Sequence, residues 1–114
     1  MEGKALFPGL SCVNITSIWV PETFLSGTVS SAVLDCVYNF TEADRDSLEV
    51  KWYFRHNPSP IYQWIPPGTP QVLSDLFKDH LVPQFEVTQD LYTRYRALNL
   101  VNIDTALSGV YSCR

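Results

Sequence analysis

Ser108-Gly109-Val110-Tyr111-Ser112-Cys113-Arg114 is the stretch whose reading decides the fold. A tyrosine two residues before a cysteine, directly after a Ser-Gly turn, is how a β-sandwich begins one of its central strands. The ring packs inward, the hydroxyl returns to the preceding turn and the cysteine reaches toward the opposite sheet. Such a strand needs partners upstream, and two stretches supply them. From Val29 to Tyr38 the residues alternate, with Ala32, Leu34, Cys36 and Tyr38 on one face and Val33, Asp35 and Val37 on the other. Cys36 therefore points into a core. In Leu48-Glu49-Val50-Lys51-Trp52-Tyr53-Phe54, the residues Leu48, Val50, Trp52 and Phe54 face inward, while Glu49, Lys51, Tyr53 and Arg55 face outward. Trp52 is on the side that can cover a disulfide from Cys36.

The remaining chain reads as further short strands. Val13 to Val20 is β-branched and aromatic, and Pro21 confines it to an edge because proline cannot donate to a ladder. Ser26-Gly27-Thr28 is a turn, and Thr41 to Ser47 is a charged loop too polar to be buried. Ile61-Tyr62-Gln63-Trp64-Ile65 is a strand between His56-Asn57-Pro58-Ser59-Pro60 and Pro66-Pro67-Gly68. Gln71 to Phe77 holds a short edge strand, Gln84 to Gln89 another strand, and Tyr92 to Leu100 one with Leu98 and Leu100 inward. Eight prolines and no helical periodicity make the chain all-β. At 114 residues it is one domain, 13–114, behind an N-terminal tail, 1–12.

Composition excludes several functions. A net charge of -4 without a basic run does not suit nucleic acid. No apolar stretch approaches the about 18–20 residues of a membrane span, so any anchor lies outside this sequence, and residues 1–10 make no convincing leader. His56 and His80 are loop residues without ligand neighbours. No nucleophile, phosphate-loop or paired-carboxylate motif occurs, so neither enzyme chemistry nor a cofactor, metal or small-molecule substrate is expected. Asn14-Ile15-Thr16 and Asn39-Phe40-Thr41 are N-glycosylation triplets, whereas proline excludes Asn57-Pro58-Ser59. With three cysteines, these triplets lean toward an oxidising, extracellular or cell-surface setting.

Cys36…Trp52…Leu98-Asn99-Leu100…Tyr111-Ser112-Cys113 resembles an immunoglobulin variable-type domain, a sandwich of two antiparallel sheets, over roughly Ser17 to Cys113. The resemblance implies a Cys36–Cys113 disulfide with Trp52, Tyr111, Leu98 and Leu100 in the core. Closing so long a loop stabilises by roughly 4–5 kcal/mol in the chain-entropy model. Strands between Trp52 and Gln84, and the wide cysteine separation, favour the variable over the constant type. Val50-Lys51-Trp52-Tyr53-Phe54 with Ile61-Tyr62-Gln63-Trp64-Ile65-Pro66 is similar to the first domain of arthropod beaten-path-type cell-surface proteins. That likeness implies binding to another immunoglobulin-superfamily protein on a facing cell in axon guidance. The sequence departs from many variable domains at Leu107, where an aspartate usually pairs with an arginine. The usual salt bridge is then absent, and Arg94 and Arg96 are not assigned to it.

The functional expectation is an adhesion or guidance module that binds through the face of the family's strands C, C′ and F. Tyr53, Tyr62 and Trp64 are its aromatic anchors, and Lys51 and Gln63 fix orientation. The parity of 61–65 stays open: either Tyr62 and Trp64 face outward, or Ile61, Gln63 and Ile65 do. Both options leave an apolar patch on an open sheet. The alternative is a structural spacer domain whose patch packs on a neighbour. Cys12 is left over, and a partner outside this sequence is favoured over an interchain bond, a leader remnant or a free thiol. The family's strand G is expected to be missing after Cys113, which would leave the preceding strand with an unpaired edge.

Overall fold

The computed structural model describes residues 2–5, 14–19, 31–103, 105–107 and 109–114. Cys12, Val13, Val20, Pro21, Ser26-Gly27-Thr28, Val29 and Ser108, named above, lie outside them. The described residues form a β-sandwich. The strands are β1 (Glu2–Ala5), β2 (Asn14–Trp19), β3 (Ser31–Asn39), β4 (Val50–Phe54), β5 (Tyr62–Trp64), β6 (Gln71–Val72), β7 (Leu98–Val101) and β8 (Val110–Cys113). One sheet runs β1-β8-β4-β5-β6 and the other β2-β3-β7. All pairings are antiparallel except β1 with β8, which is parallel.

The period-two pattern explains why the sheets face each other. In β3, Ala32, Leu34, Cys36 and Tyr38 are buried, while the residues between them are half-buried. In β4, Val50, Trp52 and Phe54 meet them from the other sheet, and in β7 Leu98 and Leu100 do so from the same sheet. Cys36 and Cys113 are disulfide-bonded and join β3 to β8, and Trp52 is the register partner of Cys113. Removing such side chains from water contributes about 1.5–3 kcal/mol each, so this inter-sheet cluster carries most of the stability. Tyr111 is fully buried, and its hydroxyl donates to the Leu107 carbonyl at 2.6 Å, tying β8 to the corner before it. Gly109 sits at φ 153°, and a Cβ there would lie 3.1 Å from both Phe54 and Arg55 side-chain carbons. The corner therefore requires glycine.

Several expectations are corrected. Residues 2–5 of the expected tail form β1, and the edge of β8 expected to be open is paired with it. Thr41 to Ser47 is not a wholly exposed loop, because Glu42–Ser47 is a 3-10 helix that buries Asp44. The Asp44 carboxylate accepts from the Thr41 amide and hydroxyl, which makes burial of the charge tolerable. No strand forms over Gln84–Gln89. Pairing to β7 occurs earlier, as a bridge between Leu81 and Leu100, and Pro83 then interrupts it.

The strand expected from Tyr92 begins only at Leu98, because Leu91 to Tyr95 is a turn. The carbonyls of this segment are used elsewhere. Tyr92 O accepts from the Tyr38 hydroxyl, Tyr95 O from the Tyr62 hydroxyl and Arg96 O from Trp52 Nε1. Three polar-tipped rings from both sheets thus satisfy themselves on one loop that closes the end of the core. Burial raises the pKa of the Tyr38, Tyr62 and Tyr111 phenols above the ordinary tyrosine range.

Candidate functional site

β4, β5 and β8 position the residues expected to bind a partner. In β4, Lys51 and Tyr53 project away from the sandwich core, opposite Val50, Trp52 and Phe54. Lys51 is the register partner of Gln63, which in turn opposes Gln71; Tyr53 opposes Ser112. Lys51 and Arg114 exchange backbone bonds of 3.0 and 2.9 Å, so the ladder continues one residue past β8. The outward face therefore reads Arg114, Lys51, Gln63 and Gln71 in one row, with Ser112 and Tyr53 in the next.

The burial of these side chains changes their expected roles. Tyr62 and Trp64 are 2% and 1% exposed, point into the core, and cannot be anchors on a free surface. Trp64 Nε1 donates to the Gly68 carbonyl at 2.7 Å, and the ring meets Tyr95 edge-on at 5.5 Å. The parity left open is thus settled, with Tyr62 and Trp64 inward and Gln63 and Ile65 outward. Ile61, which shares the outward parity, is nevertheless buried. Tyr53 has the expected outward parity but is only 7% exposed, because the Arg114 guanidinium lies 4.4 Å above its ring. It is a covered support, not a bare aromatic anchor.

Of the polar members of the site, Lys51 has the outward parity expected of it, and Gln63, whose orientation was open, faces outward beside it. Lys51 and Gln63 are half-buried on the outward face. Lys51 Nζ lies 2.7 Å from Glu49 Oε1, and the hydrogen bond it donates to that carboxylate raises the ammonium pKa. Because both groups are partly exposed, this pair fixes a side chain more than it stabilises the fold. The large apolar exposure of the sheet lies just beyond β5 and β6, where Ile65 is 53% and Leu73 46% exposed. The Leu73 amide donates to Ile61 O at 2.8 Å, which holds Leu73 beside the start of β5.

Arg114, Ser112 and Leu73 were missed from the sequence. Counting outward from inward Tyr111 and Cys113 places Ser112 and Arg114, but nothing local signals that Arg114 covers Tyr53. Asn39 is exposed at the end of β3, and Asn14 is its register partner across from β2. His56 is exposed in the turn after β4, whereas His80 Nδ1 lies 3.2 Å from Val101 O. Among the described residues, no group of three His, Cys, Asp or Glu side chains converges as metal ligands, and no helix is long and apolar enough to cross a membrane. Arg96, left unassigned from the sequence, forms a two-pronged ion pair with Asp35 of β3 at 2.8 and 3.1 Å. Leu107, where many immunoglobulin variable domains carry an aspartate, is fully buried. Compared with models of known protein families, the chain matches none.

Proposed function

We propose that this chain is an immunoglobulin variable-type recognition module of an extracellular adhesion or guidance protein. It binds a protein partner through the outward face of its five-stranded sheet. Three things support the variable-type reading: β5 and β6 extend the sheet beyond β4, Cys36–Cys113 lies beside Trp52, and the Tyr111 hydroxyl is bonded back to the corner before β8. The observation that carries the binding reading is the β5–β6 hairpin. Exposed Ile65 and Leu73 flank a polar centre of Gln63 and Gln71, with Lys51 and Arg114 alongside. Exposed apolar groups bordering an ordered polar row suit a protein surface, with the former supplying desolvation and the latter orientation. The partner is a cell-surface protein, and the family likeness points to one of the immunoglobulin superfamily.

The test displays the chain in multivalent form against a panel of cell-surface ectodomains and then varies both sheets. Ile65→Asp, Leu73→Asp and Lys51→Glu each weaken binding by about tenfold or more, as central interface positions do, without lowering the melting temperature. Val33→Asp, on the outward side of β3, leaves binding unchanged. A partner that tolerates the first three substitutions and is lost with the fourth would move the site to the other sheet.

A further inference from the structure

Asn39 ends β3, exposed, immediately after buried Tyr38, and it opens the triplet Asn39-Phe40-Thr41. Its register partner, Asn14, opens the other triplet, Asn14-Ile15-Thr16. Folding therefore brings two acceptor triplets, distant in sequence, to one end of the three-stranded sheet. Thr41 is exposed, but in the folded chain the hydrogen of its hydroxyl is already engaged. The hydroxyl donates to Asp44 Oδ2 at 3.0 Å, and the Thr41 amide donates to the same oxygen at 2.9 Å. Asp44 is 6% exposed, and its own carbonyl accepts from the Ser47 hydroxyl at 3.1 Å, so the clamp belongs to a closed turn. An asparagine-glycosylating transferase recognises the triplet through that hydroxyl and needs the backbone around it extended.

We propose that Asn39 is an N-glycan acceptor that is modified only before the 41–47 turn closes, and that Asp44 shuts the acceptor off once it does. In the transfer, Asn39 Nδ2 attacks the anomeric carbon of a lipid-pyrophosphate-linked oligosaccharide. A nitrogen–carbon bond forms, and the carbon–oxygen bond to the pyrophosphate breaks. The lipid pyrophosphate leaves with the electron pair, and the amide proton passes to a base of the transferase. The inference stands on the triplet, the exposure of Asn39 and the Asp44 clamp, and does not depend on the recognition face. Its consequence for that face is spatial: carbohydrate at this end of the three-stranded sheet leaves the outward side of the five-stranded sheet uncovered.

The test compares one acceptor in three states, each supplied with oligosaccharyltransferase and lipid-linked oligosaccharide, with Asn39→Gln as the blank that separates Asn39 from Asn14. The chain is translocated into microsomes behind a cleavable signal, or presented as the folded, oxidised, sugar-free protein, or presented after reduction and unfolding. Asn39 is occupied in the first and third states. In the folded state it reacts at least about tenfold more slowly, because bonds to a charged acceptor must first be broken. Folded Asp44→Ala, its fold checked by resistance of the Cys36–Cys113 bond to reductant, regains the faster reaction. An empty Asn39 after translocation, or equal rates for the folded and unfolded wild-type chain, would overturn the proposal.

Discussion

Replacing Asp35 by alanine tests what fastens the loop before β7 to the sandwich. Its carboxylate receives Arg96 Nε at 2.8 Å, Arg96 Nη2 at 3.1 Å and the Cys36 amide at 2.8 Å. The same Arg96 offers its carbonyl to Trp52 Nε1 at 2.8 Å, so one residue joins β3, β4 and the loop. The two side chains are only 18% and 14% exposed. An exposed pair contributes about 0–1 kcal/mol, whereas breaking a buried one costs about 3–5 kcal/mol. Geometry this good with this little exposure places Asp35→Ala at about 2–3 kcal/mol. With a denaturant slope of about 1.5 kcal/mol/M, the urea midpoint falls by roughly 1.5 M. A double-mutant cycle with Arg96→Ala separates the pair from the amide bond, and its coupling energy is about 1–2 kcal/mol. High salt lowers that coupling little, since the pair is largely shielded from solvent. A coupling under about 0.5 kcal/mol would refute the reasoning and leave the Tyr38, Tyr62 and Trp52 hydrogen bonds to hold the loop.

Trp64→Ala destabilises by about 3–5 kcal/mol, seen as a large drop in melting temperature, because it empties a core position and orphans the Gly68 carbonyl. Ile65→Ala on the outward side changes stability by less than about 0.5 kcal/mol, and the reverse ranking would mean that β5 faces the other way. Alkaline stability follows from Tyr38, Tyr62 and Tyr111, whose pKa values burial raises above the usual 10.0. The folded chain keeps these protons to higher pH than the unfolded chain does, so their contribution is intact below pH 10 and is lost as pH rises beyond it. The loss approaches about 1.4 kcal/mol per pH unit for each phenol, read as falling urea midpoints. Phenolate absorbance growing at all three tyrosines while the midpoint stays level would contradict it.

The parts of this fold that a local count can reach were legible. Cys36 and Trp52 occupy inward positions of alternating runs, where period two places them, and Tyr111 and Cys113 follow from the tyrosine two residues before a cysteine after a Ser-Gly turn. The failures share a different cause. Tyr92 to Arg96 has strand-like composition, yet its carbonyls are taken by Tyr38, Tyr62 and Trp52, rings that lie far away in sequence. No window around Tyr92 contains that information. Arg96 could not be paired for the same reason, because its partner Asp35 lies on β3 and only the assembled sandwich brings them together.

The site was half legible on identical grounds. Lys51 follows from the parity of β4, but the orientation of Gln63 was open with the rest of 61–65, and aromatic residues were given to the surface because both parities of that stretch are apolar. The structure resolves this by an energetic preference: the largest rings with hydrogen-bonding tips go where a carbonyl awaits them, at Tyr95 for Tyr62 and at Gly68 for Trp64. That choice constrains the binding physics of the outward face. With Tyr62 and Trp64 spent on the core and Tyr53 under Arg114, the partner proposed above would desolvate mainly Ile65 and Leu73, at separate ends of the β5–β6 hairpin. Two aliphatic side chains supply about 1.5–3 kcal/mol each, well short of a deep aromatic hot spot. Strong single-copy affinity therefore needs Arg114 to swing off Tyr53 and expose the ring. Otherwise the proposed recognition would have to work by many weak contacts in parallel, the way linked or clustered binding modules gain avidity without new contacts.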